Sequence, residues 1–295
     1  MKKIIITIPA YNEQETIGST IDEIRKVMPN IKYKCEFQVV DDGSKDSTAR
    51  IAGKHGAFVV VHKQNQGLAR TFQTEIEYCL KKKADIIVHT DADGQYNPEA
   101  IPEMIKKIEE GYDLVLGSRF KGKTSYKNEF SKMLGNIIFA RVISRLTKTR
   151  ITDSTTGFRA FTSELAKNIK FINNFTYTQE QIIRAARQGF RIAEVPIEAR
   201  KTRKSKLFRN PLHYAILAWI NILRIYRDYD PLKFFGAIGI SLFSLGLLIG
   251  IYFIYLHLTR GITGHIGLLF LMIALLMSGI QIAFFGFLAD MQRKD

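Results

Sequence analysis

The segment Asp85–Gln95 reads DIIVHTDADGQ, and the rest of the fold can be worked out from it. Its first part is a short apolar run, which is typical of a buried β-strand. The run ends in two carboxylates one residue apart, Asp91 and Asp93, followed by Gln95. Alternation along an extended strand end would place these three side chains on one side. Their oxygens suit Mg²⁺ or Mn²⁺, so we predict a metal site at the mouth of a sheet, with a polar turn as the alternative.

Apolar runs alternate with helical patterns on both sides of this segment. Such alternation predicts an α/β fold with a mostly parallel sheet and helices on both faces. In such sheets ligands bind at the carboxyl ends of the strands. Strands are predicted at Lys3–Pro9, Phe37–Val40, Ala57–Val61, Ile86–His89 and Leu114–Leu116, and helices at Gln14–Met28, Ser47–Lys54, Leu68–Lys82 and Pro98–Glu110.

Polar residues also follow the first two predicted strands. The first strand runs into Pro9–Glu13, and the second ends in the acidic pair Asp41 and Asp42, followed by Gly43. Carboxylates at a strand mouth can accept hydrogen bonds from a nucleobase N–H or from ribose hydroxyls. A plain strand-to-helix turn is the alternative, since glycine permits a tight turn here. For Asp42 the chemistry alone does not decide between these two interpretations.

The chain of 295 residues carries 43 Lys and Arg against 28 Asp and Glu, a net charge of +15. This balance favours anionic partners such as phosphorylated small molecules or anionic lipid headgroups. No nucleic-acid-binding motif is present, so we expect no nucleic-acid partner. The two cysteines, Cys35 and Cys79, form no metal-binding pattern and favour a reducing compartment.

The C-terminal region contains two long uncharged runs, Phe234–Leu256 and Ile266–Ala289. As a helix the first run would span about 34 Å, enough to cross a bilayer core. A buried pair of core helices is the alternative. Cations flank the pair on both sides, whereas the connection has one clear cation, Arg260, so we predict cytoplasmic flanks and a cytoplasmic N-terminal part. The flanking cations are Arg224, Arg227, Lys233, Arg293 and Lys294.

Just before the first run, Pro211–Asp228 has polar residues near helical spacing among apolar ones. This pattern predicts an amphipathic helix in the membrane interface, and a core helix is the alternative. Within the first run, Gly246 and Gly250 would allow close helix packing, which is a weak sign of a homo-oligomer.

Seven short segments, taken in their order along the chain, resemble family 2 glycosyltransferases with the GT-A fold. The likeness is to the polyprenyl-phosphate glycosyltransferases, the dolichol-phosphate mannose synthase group and its bacterial relatives. Tyr229–Gly236 also resembles the family's entry into its membrane segment. The seven segments are Pro9–Glu13, Val40–Ser44, Asn65–Gly67, Asp91–Gln95, Gly117–Phe120, Asp153–Arg159 and Glu194–Ile197.

The resemblance implies three parts: a Rossmann-like nucleotide-diphospho-sugar transferase domain (1–206), a juxtamembrane amphipathic helix region (207–230) and a two-helix transmembrane domain (231–295). It implies an integral membrane protein that transfers a hexose from a nucleotide sugar to a polyprenyl phosphate in the lipid bilayer. The reaction would invert the anomeric carbon and need Mg²⁺ or Mn²⁺. GDP-mannose is the favoured donor, and UDP-glucose comes next.

Position by position, the resemblance also assigns roles to residues. The metal ligands would be Asp91, Asp93 and Gln95, and the catalytic residues Asp91, Asp93 and Arg119. The nucleotide-sugar site would comprise Pro9, Tyr11, Glu13, Val40, Asp42, Asp91, Ala92, Asp93, Arg119, Arg200 and Lys206.

The acceptor phosphate would be held by Lys127, Ser131 and Lys206. Two departures from the family pattern fall here. Lys127 stands where the family often has arginine, and lysine holds phosphate as a point charge rather than bidentately. Arg203 replaces a usual glycine, which changes the backbone freedom of that loop and adds a cation.

Two alternatives to this function remain open at this point. A processive polysaccharide glycosyltransferase of the same superfamily would carry a Q-x-x-R-W motif. Here Gln181 and Arg184 are followed by Ala185, and the only tryptophan is Trp219. The other alternative is a non-catalytic, membrane-anchored nucleotide-sugar-binding protein, because a sequence does not show turnover.

Overall fold

The computed structural model divides the chain into two compact units, Met1–Arg209 and Asn210–Asp295. Each unit is described by itself below. The structure describes residues 2–28, 33–121, 130–169, 177–200, 220, 223–224, 226–228, 230–261 and 266–292.

The first unit alternates strands and helices, as its sequence predicts. The strands are β1 (Lys3–Ala10), β2 (Lys34–Asp41), β3 (Phe58–Val61), β4 (Ile86–His89), β5 (Leu114–Ser118), β6 (Arg159–Thr162) and β7 (Ile192–Pro196). The helices are α1 (Ile17–Val27), α2 (Thr48–Lys54), α3 (Leu68–Lys81), α4 (Ile101–Glu109, after a 3₁₀ turn at Pro98–Ala100), α5 (Phe130–Thr147), α6 (Ser163–Asn168) and α7 (Thr178–Arg187).

The strands form one seven-stranded sheet in the order β3-β2-β1-β4-β6-β5-β7. β1 pairs in parallel with both β2 and β4, and β2 pairs in parallel with β3. β6 runs antiparallel to β4 and β5, while β5 and β7 are parallel. The predicted α/β sheet is therefore confirmed, but it is mixed. The sequence analysis did not predict β6 or β7, and β6 has only four residues in which to show a period.

Helices cover both faces of this sheet, so the side chains on both sides of β1 are buried. Ile4, Ile6 and Ile8 pack on one face within a core that includes residues of α1 and α4. On the other face a buried hydrogen bond between Glu75 and His89 joins α3 to β4. A strand that is buried on two faces reads as a continuous apolar run, which is why β1 is apolar along most of its length.

The second unit contains two long helices, α8 (Pro231–Arg260) and α9 (Ile266–Met291). Their most apolar windows have mean hydropathies of 2.3 and 2.4, so both are long and apolar enough to cross a membrane. Only 11% and 6% of these windows are buried inside the protein. Soluble core helices bury their apolar face, and these two expose most of theirs. Most of the predicted interface helix Pro211–Asp228 lies outside the described residues.

Glycines line the contact between α8 and α9. A Cβ atom added to Gly239 would lie 2.7 Å from the carbonyl oxygen of Gly279, and one added to Gly246 would lie 3.0 Å from Leu276. One on Gly250 would meet the sulfur of Met272 at 3.0 Å. The Gly246 and Gly250 pair thus packs within the hairpin. These two glycines therefore give no support to the homo-oligomer, which stays a prediction.

We expect Gly279→Leu to destabilise the hairpin. A Cβ at this position would lie 2.7 Å from the backbone nitrogen of Phe243, and overpacking costs about 1–3 kcal/mol. The control is Gly267→Leu in the same helix, since a Cβ there meets nothing within 4 Å among the described residues. Thermal unfolding in detergent should show a lower midpoint for Gly279→Leu than for Gly267→Leu. Equal midpoints would contradict the glycine contact.

Candidate active site

Three parallel strands bring their carboxyl ends to one edge of the sheet. Ala10 is in register with Asp41, and Thr7 with His89, so the segments that follow β1, β2 and β4 start side by side. The Asp42 amide donates a hydrogen bond to the Ala10 carbonyl at 2.9 Å, which ties the first two segments together. The residues with predicted roles that follow β1, β2 and β4 therefore lie at this one edge.

The segment after β4 is a turn. β4 ends at His89, and Ala92–Gly94 form the turn, with Gly94 at a φ of 68°. The Asp93 carboxylate accepts the Gln95 amide at 3.0 Å, which stabilises this turn. The expectation that strand alternation continues to Gln95 is therefore wrong. A left-handed glycine cannot belong to an extended strand, so the turn alone sets the directions of these side chains.

Asp91 lies half-buried beside Gly157. A Cβ atom on Gly157 would come within 2.9 Å of the Asp91 Oδ1 atom, so only glycine leaves room for this carboxylate. Burial raises the pKa of Asp91, and the neighbouring charge of Asp93 raises it further, while His89 and Arg119 lower it. No hydrogen bond to Asp91 comes from the part of the chain that the structure describes. The site therefore contains a desolvated carboxylate next to a second one.

These residues fit a hard divalent cation. Asp91, Asp93 and Gln95 supply oxygen atoms, and Mg²⁺ is commonly held by one or two carboxylates together with substrate phosphates. The described residues contain no group of three His, Cys, Asp or Glu side chains that could hold a metal by themselves. A cation at this turn would thus need a ligand from the substrate. It would also relieve the repulsion between the two carboxylates.

Contacts from two other segments hold the turn in place. Thr20 of α1 donates a hydrogen bond to the Ala92 carbonyl at 3.1 Å, and the Ala92 side chain is buried. The Arg200 amide donates to the Gln95 carbonyl at 2.8 Å. The Arg200 guanidinium, which the sequence analysis expects at the diphosphate, pairs with Glu23 at 2.8 Å. It is therefore the backbone of Arg200 that contacts the turn.

Arg119 is the predicted catalytic cation, and its charge acts on Asp91. It follows the end of β5, and its charge lowers the pKa of Asp91. Its guanidinium makes two hydrogen bonds to Asp153, at 2.7 and 2.9 Å, and a third to the hydroxyl of Thr155 at 2.8 Å. The structure thus brings Arg119 to the site and holds it in one orientation.

The predicted nucleotide-site residues of β1 and β2 are largely enclosed. Pro9 and Val40 are buried and in register with each other. Asp42 is 4% exposed and accepts three hydrogen bonds, from His62 Nδ1 at 2.7 Å and from the amides of Gln66 and Gly67 at 2.9 and 2.8 Å. The carboxylate therefore anchors the loop after β3, and its contact with a nucleotide stays a prediction.

The remaining residues of the predicted nucleotide site follow β1. Tyr11 is 41% exposed, so its ring is open to a ligand at the edge. Glu13 is buried, and its carboxylate accepts a hydrogen bond from Thr16 at 3.0 Å. The Glu13 amide donates to the hydroxyl of Thr48, the first residue of α2, at 2.8 Å. Glu13 therefore joins the starts of two helices at the edge.

Three acceptor-site predictions cannot be placed by their side chains. Lys127 and Lys206 lie outside the described residues. Ser131 lies in the first turn of α5, where the structure describes only the backbone. Their assigned contact with an acceptor phosphate stays a prediction.

Sequence reasoning missed a buried polar chain behind Asp91. His89 accepts or donates on both ring nitrogens, to Glu75 at 2.8 Å and to the Tyr177 hydroxyl at 2.7 Å, and all three side chains are almost fully buried. Arg159 lies over the Tyr177 ring and donates to the Thr156 carbonyl, next to Gly157. The polar residue His89 within an apolar strand was the one available signal. Its partners come from α3 and from the start of α7.

Residues 5–170 match the profile of glycosyl transferase family 2. The chain belongs to this family. Family 2 membership makes it a glycosyltransferase, and it confirms the resemblance found in the sequence.

Two relatives show how far the likeness extends. The chain is 34% identical to a dolichyl-phosphate hexose transferase of Haloferax volcanii over 67% of this chain and 83% of the relative. It is 28% identical to a dolichol-phosphate mannosyltransferase of Pyrococcus furiosus over 90% of this chain and 76% of the relative.

A solved structure shares the fold of this glycosyltransferase. Glucosyl-3-phosphoglycerate synthase from Mycobacterium tuberculosis, in complex with Mn²⁺, uridine diphosphate and phosphoglyceric acid, superposes with a TM-score of 0.59. The identity is 23%, over 76% of this chain and 78% of that chain. The GT-A fold expected for the first unit is thereby confirmed.

We expect Gly157→Ala to weaken metal binding, because the new methyl group would displace the Asp91 carboxylate. A displaced ligand should lower Mn²⁺ affinity by about 10- to 100-fold. Gly53→Ala is the matched control, since a Cβ there only meets Val59 at 4.0 Å. Titration of the two variants with MnCl₂ in the presence of uridine or guanosine diphosphate, followed by electron paramagnetic resonance, measures the difference. Unchanged Mn²⁺ affinity in Gly157→Ala would contradict the assignment of Asp91 as a metal ligand.

Proposed function

We propose that this glycosyltransferase moves a hexose from a nucleotide sugar to a polyprenyl phosphate, with inversion at the anomeric carbon. One observation carries the proposal. The same chain combines a desolvated carboxylate, Asp91, next to a second one at a sheet edge with two helices whose apolar surface is largely exposed. The first feature suits a cation with a diphosphate, and the second suits a substrate that stays in the bilayer.

The acceptor chemistry requires little from the protein. An acceptor phosphate is already anionic near neutral pH, so its attack on the sugar needs no strong general base. The barrier lies in the charge that develops on the departing nucleoside diphosphate. When bound, Mg²⁺ or Mn²⁺ would neutralise part of this charge. Arg119, which is held rigidly by Asp153, supplies a second positive charge at the same edge without reorganisation.

The names of the relatives support a polyprenyl acceptor. Both are named as transferases that act on dolichyl or dolichol phosphate. Cations near the helices would attract an acceptor phosphate and anionic headgroups. We assign Lys127, Ser131 and Lys206 to the acceptor phosphate, and we place the first unit in the cytoplasm by the excess of cations that flank the helices. Residues 1–206, 207–230 and 231–295 are our proposed catalytic, juxtamembrane and transmembrane parts.

The proposed donor sugar rests on the names of the relatives. The mannosyltransferase name of the Pyrococcus furiosus relative favours GDP-mannose, and UDP-glucose is next. The hexose named for the Haloferax volcanii relative fits either donor. A panel of both nucleotide sugars, with label followed into the lipid fraction, distinguishes them.

We expect Asp93→Ala to abolish sugar transfer to polyprenyl phosphate, because the cation would lose a carboxylate ligand. The assay uses the full chain in detergent, polyprenyl phosphate and the best donor of the panel. Chelation of divalent cations should abolish transfer by the wild-type protein as well. The control is Glu110→Gln, which removes a surface carboxylate that pairs only with Lys107 among the described residues. Full activity of Asp93→Ala in the presence of chelator would exclude this mechanism.

A further inference from the structure

Two buried carboxylates stand one behind the other next to Arg119. The Asp153 side chain is fully buried, and the Glu194 side chain is 1% exposed. Both belong to segments that resemble the family; Asp153 enters the mechanism above only through its contact with Arg119, and Glu194 does not enter it. Buried carboxylates are costly unless they are paired, so each needs an explanation.

Asp153 holds the Arg119 guanidinium in a two-point contact. Nε donates to Oδ2 at 2.7 Å and Nη2 donates to Oδ1 at 2.9 Å. The backbone amide of Arg119 also donates to Oδ2 at 3.2 Å. Thr155 closes the arrangement, because its hydroxyl accepts from Nη2 at 2.8 Å and donates to Asp153 Oδ1 at 3.1 Å. A planar fork held at two points has a fixed plane and direction.

Glu194 in turn holds the backbone of Asp153. Its Oε1 accepts the amides of Thr152 and Asp153 at 2.7 and 3.0 Å. Its Oε2 accepts the Thr152 hydroxyl at 2.8 Å and pairs with Lys121 at 3.0 Å. The Thr152 hydroxyl also bonds to Ser118 at the end of β5. The last residues of β5 and the 152–155 loop are thus joined through one carboxylate on β7.

Stability alone does not account for this arrangement. A buried ion pair often contributes little net stability, because desolvation offsets the attraction. What a two-point contact does supply is orientation, and the segment that holds Arg119 through Asp153 continues to Gly157, which lies beside the Asp91 carboxylate. A preorganised cation stabilises developing charge without moving at the moment of reaction.

We propose that Asp153 is a positioning residue that orients the Arg119 guanidinium toward the donor diphosphate, and that Glu194 fixes Asp153 in this role. The proposal rests on the proposed function, since it takes the donor to be a nucleotide sugar. Asp153 acts only through Arg119. The effect of changing Asp153 must therefore vanish in a protein whose residue 119 has no guanidinium to orient.

A double-mutant cycle tests this dependence. Asp153→Asn places an amide donor against a guanidinium donor, so it breaks one of the two contacts while it keeps the side-chain shape. We expect kcat/KM for the donor to fall about 10- to 100-fold. In an Arg119→Lys background the same change should alter kcat/KM by no more than about twofold, since residues that act as a unit are not additive.

A second readout does not depend on transfer. Calorimetric titration with uridine diphosphate or guanosine diphosphate in MnCl₂ measures diphosphate affinity in the same four proteins. The same pattern is expected, with a loss from Asp153→Asn only where Arg119 is present. Wild-type protein that binds diphosphate and shows this pattern, but transfers no sugar, would refute the proposed function and leave this proposal standing.

The control is Asp113→Asn. Asp113 precedes the opposite end of β5, and its carboxylate accepts the Arg191 amide at 2.8 Å. This change should leave both readouts unaffected. If Asp153→Asn fails to fold, Thr155→Val removes the hydroxyl between the two partners and should give a smaller loss with the same dependence on Arg119. Equal losses in the two Arg119 backgrounds, no loss in either, or no diphosphate binding by the wild-type protein would overturn the proposal.

Discussion

The parallel pairing of β1 between β2 and β4 is the constraint on which the site depends. Because the three strands run the same way and in register, the segments that leave them must turn at one edge. Asp42 is far in sequence from Asp91 and Asp93, and this pairing brings the segments that carry them to the same edge. Helices on both faces close off the sheet, which leaves the edge as the place where polar groups can meet a substrate.

Several buried, charged side chains lie behind that edge. Glu75, Asp153 and Glu194 are each almost fully enclosed and each has a cation, an imidazole or backbone amides as partners. Such networks stabilise a fold little, but they fix directions, since every partner must stay in place to avoid an unpaired charge. The result is a rigid frame for an Asp91 carboxylate and an Arg119 guanidinium, both of which would face a highly charged diphosphate.

Local patterns in the sequence predicted most of the sheet and the two apolar helices. An apolar run and the residues that end it lie within one short stretch of sequence, so they can be recognised without knowledge of distant segments. Local patterns failed where geometry depends on distant segments. β6 has four residues and takes its place from its antiparallel partners. The turn at Gly94 ended the strand alternation assumed for Gln95. Asp153 and Glu194 stood within recognised segments, yet only the folded structure shows that they hold Arg119.

Anomalous scattering from manganese tests the central claim most directly. The claim is that the turn after β4 holds a divalent cation together with a nucleoside diphosphate. Crystals of the full chain grown with MnCl₂ and uridine or guanosine diphosphate should show one anomalous peak bounded by Asp91, Asp93 and Gln95, with diphosphate oxygens completing its coordination. A diphosphate bound at this edge with no anomalous peak, or a peak elsewhere on the protein, would contradict the account.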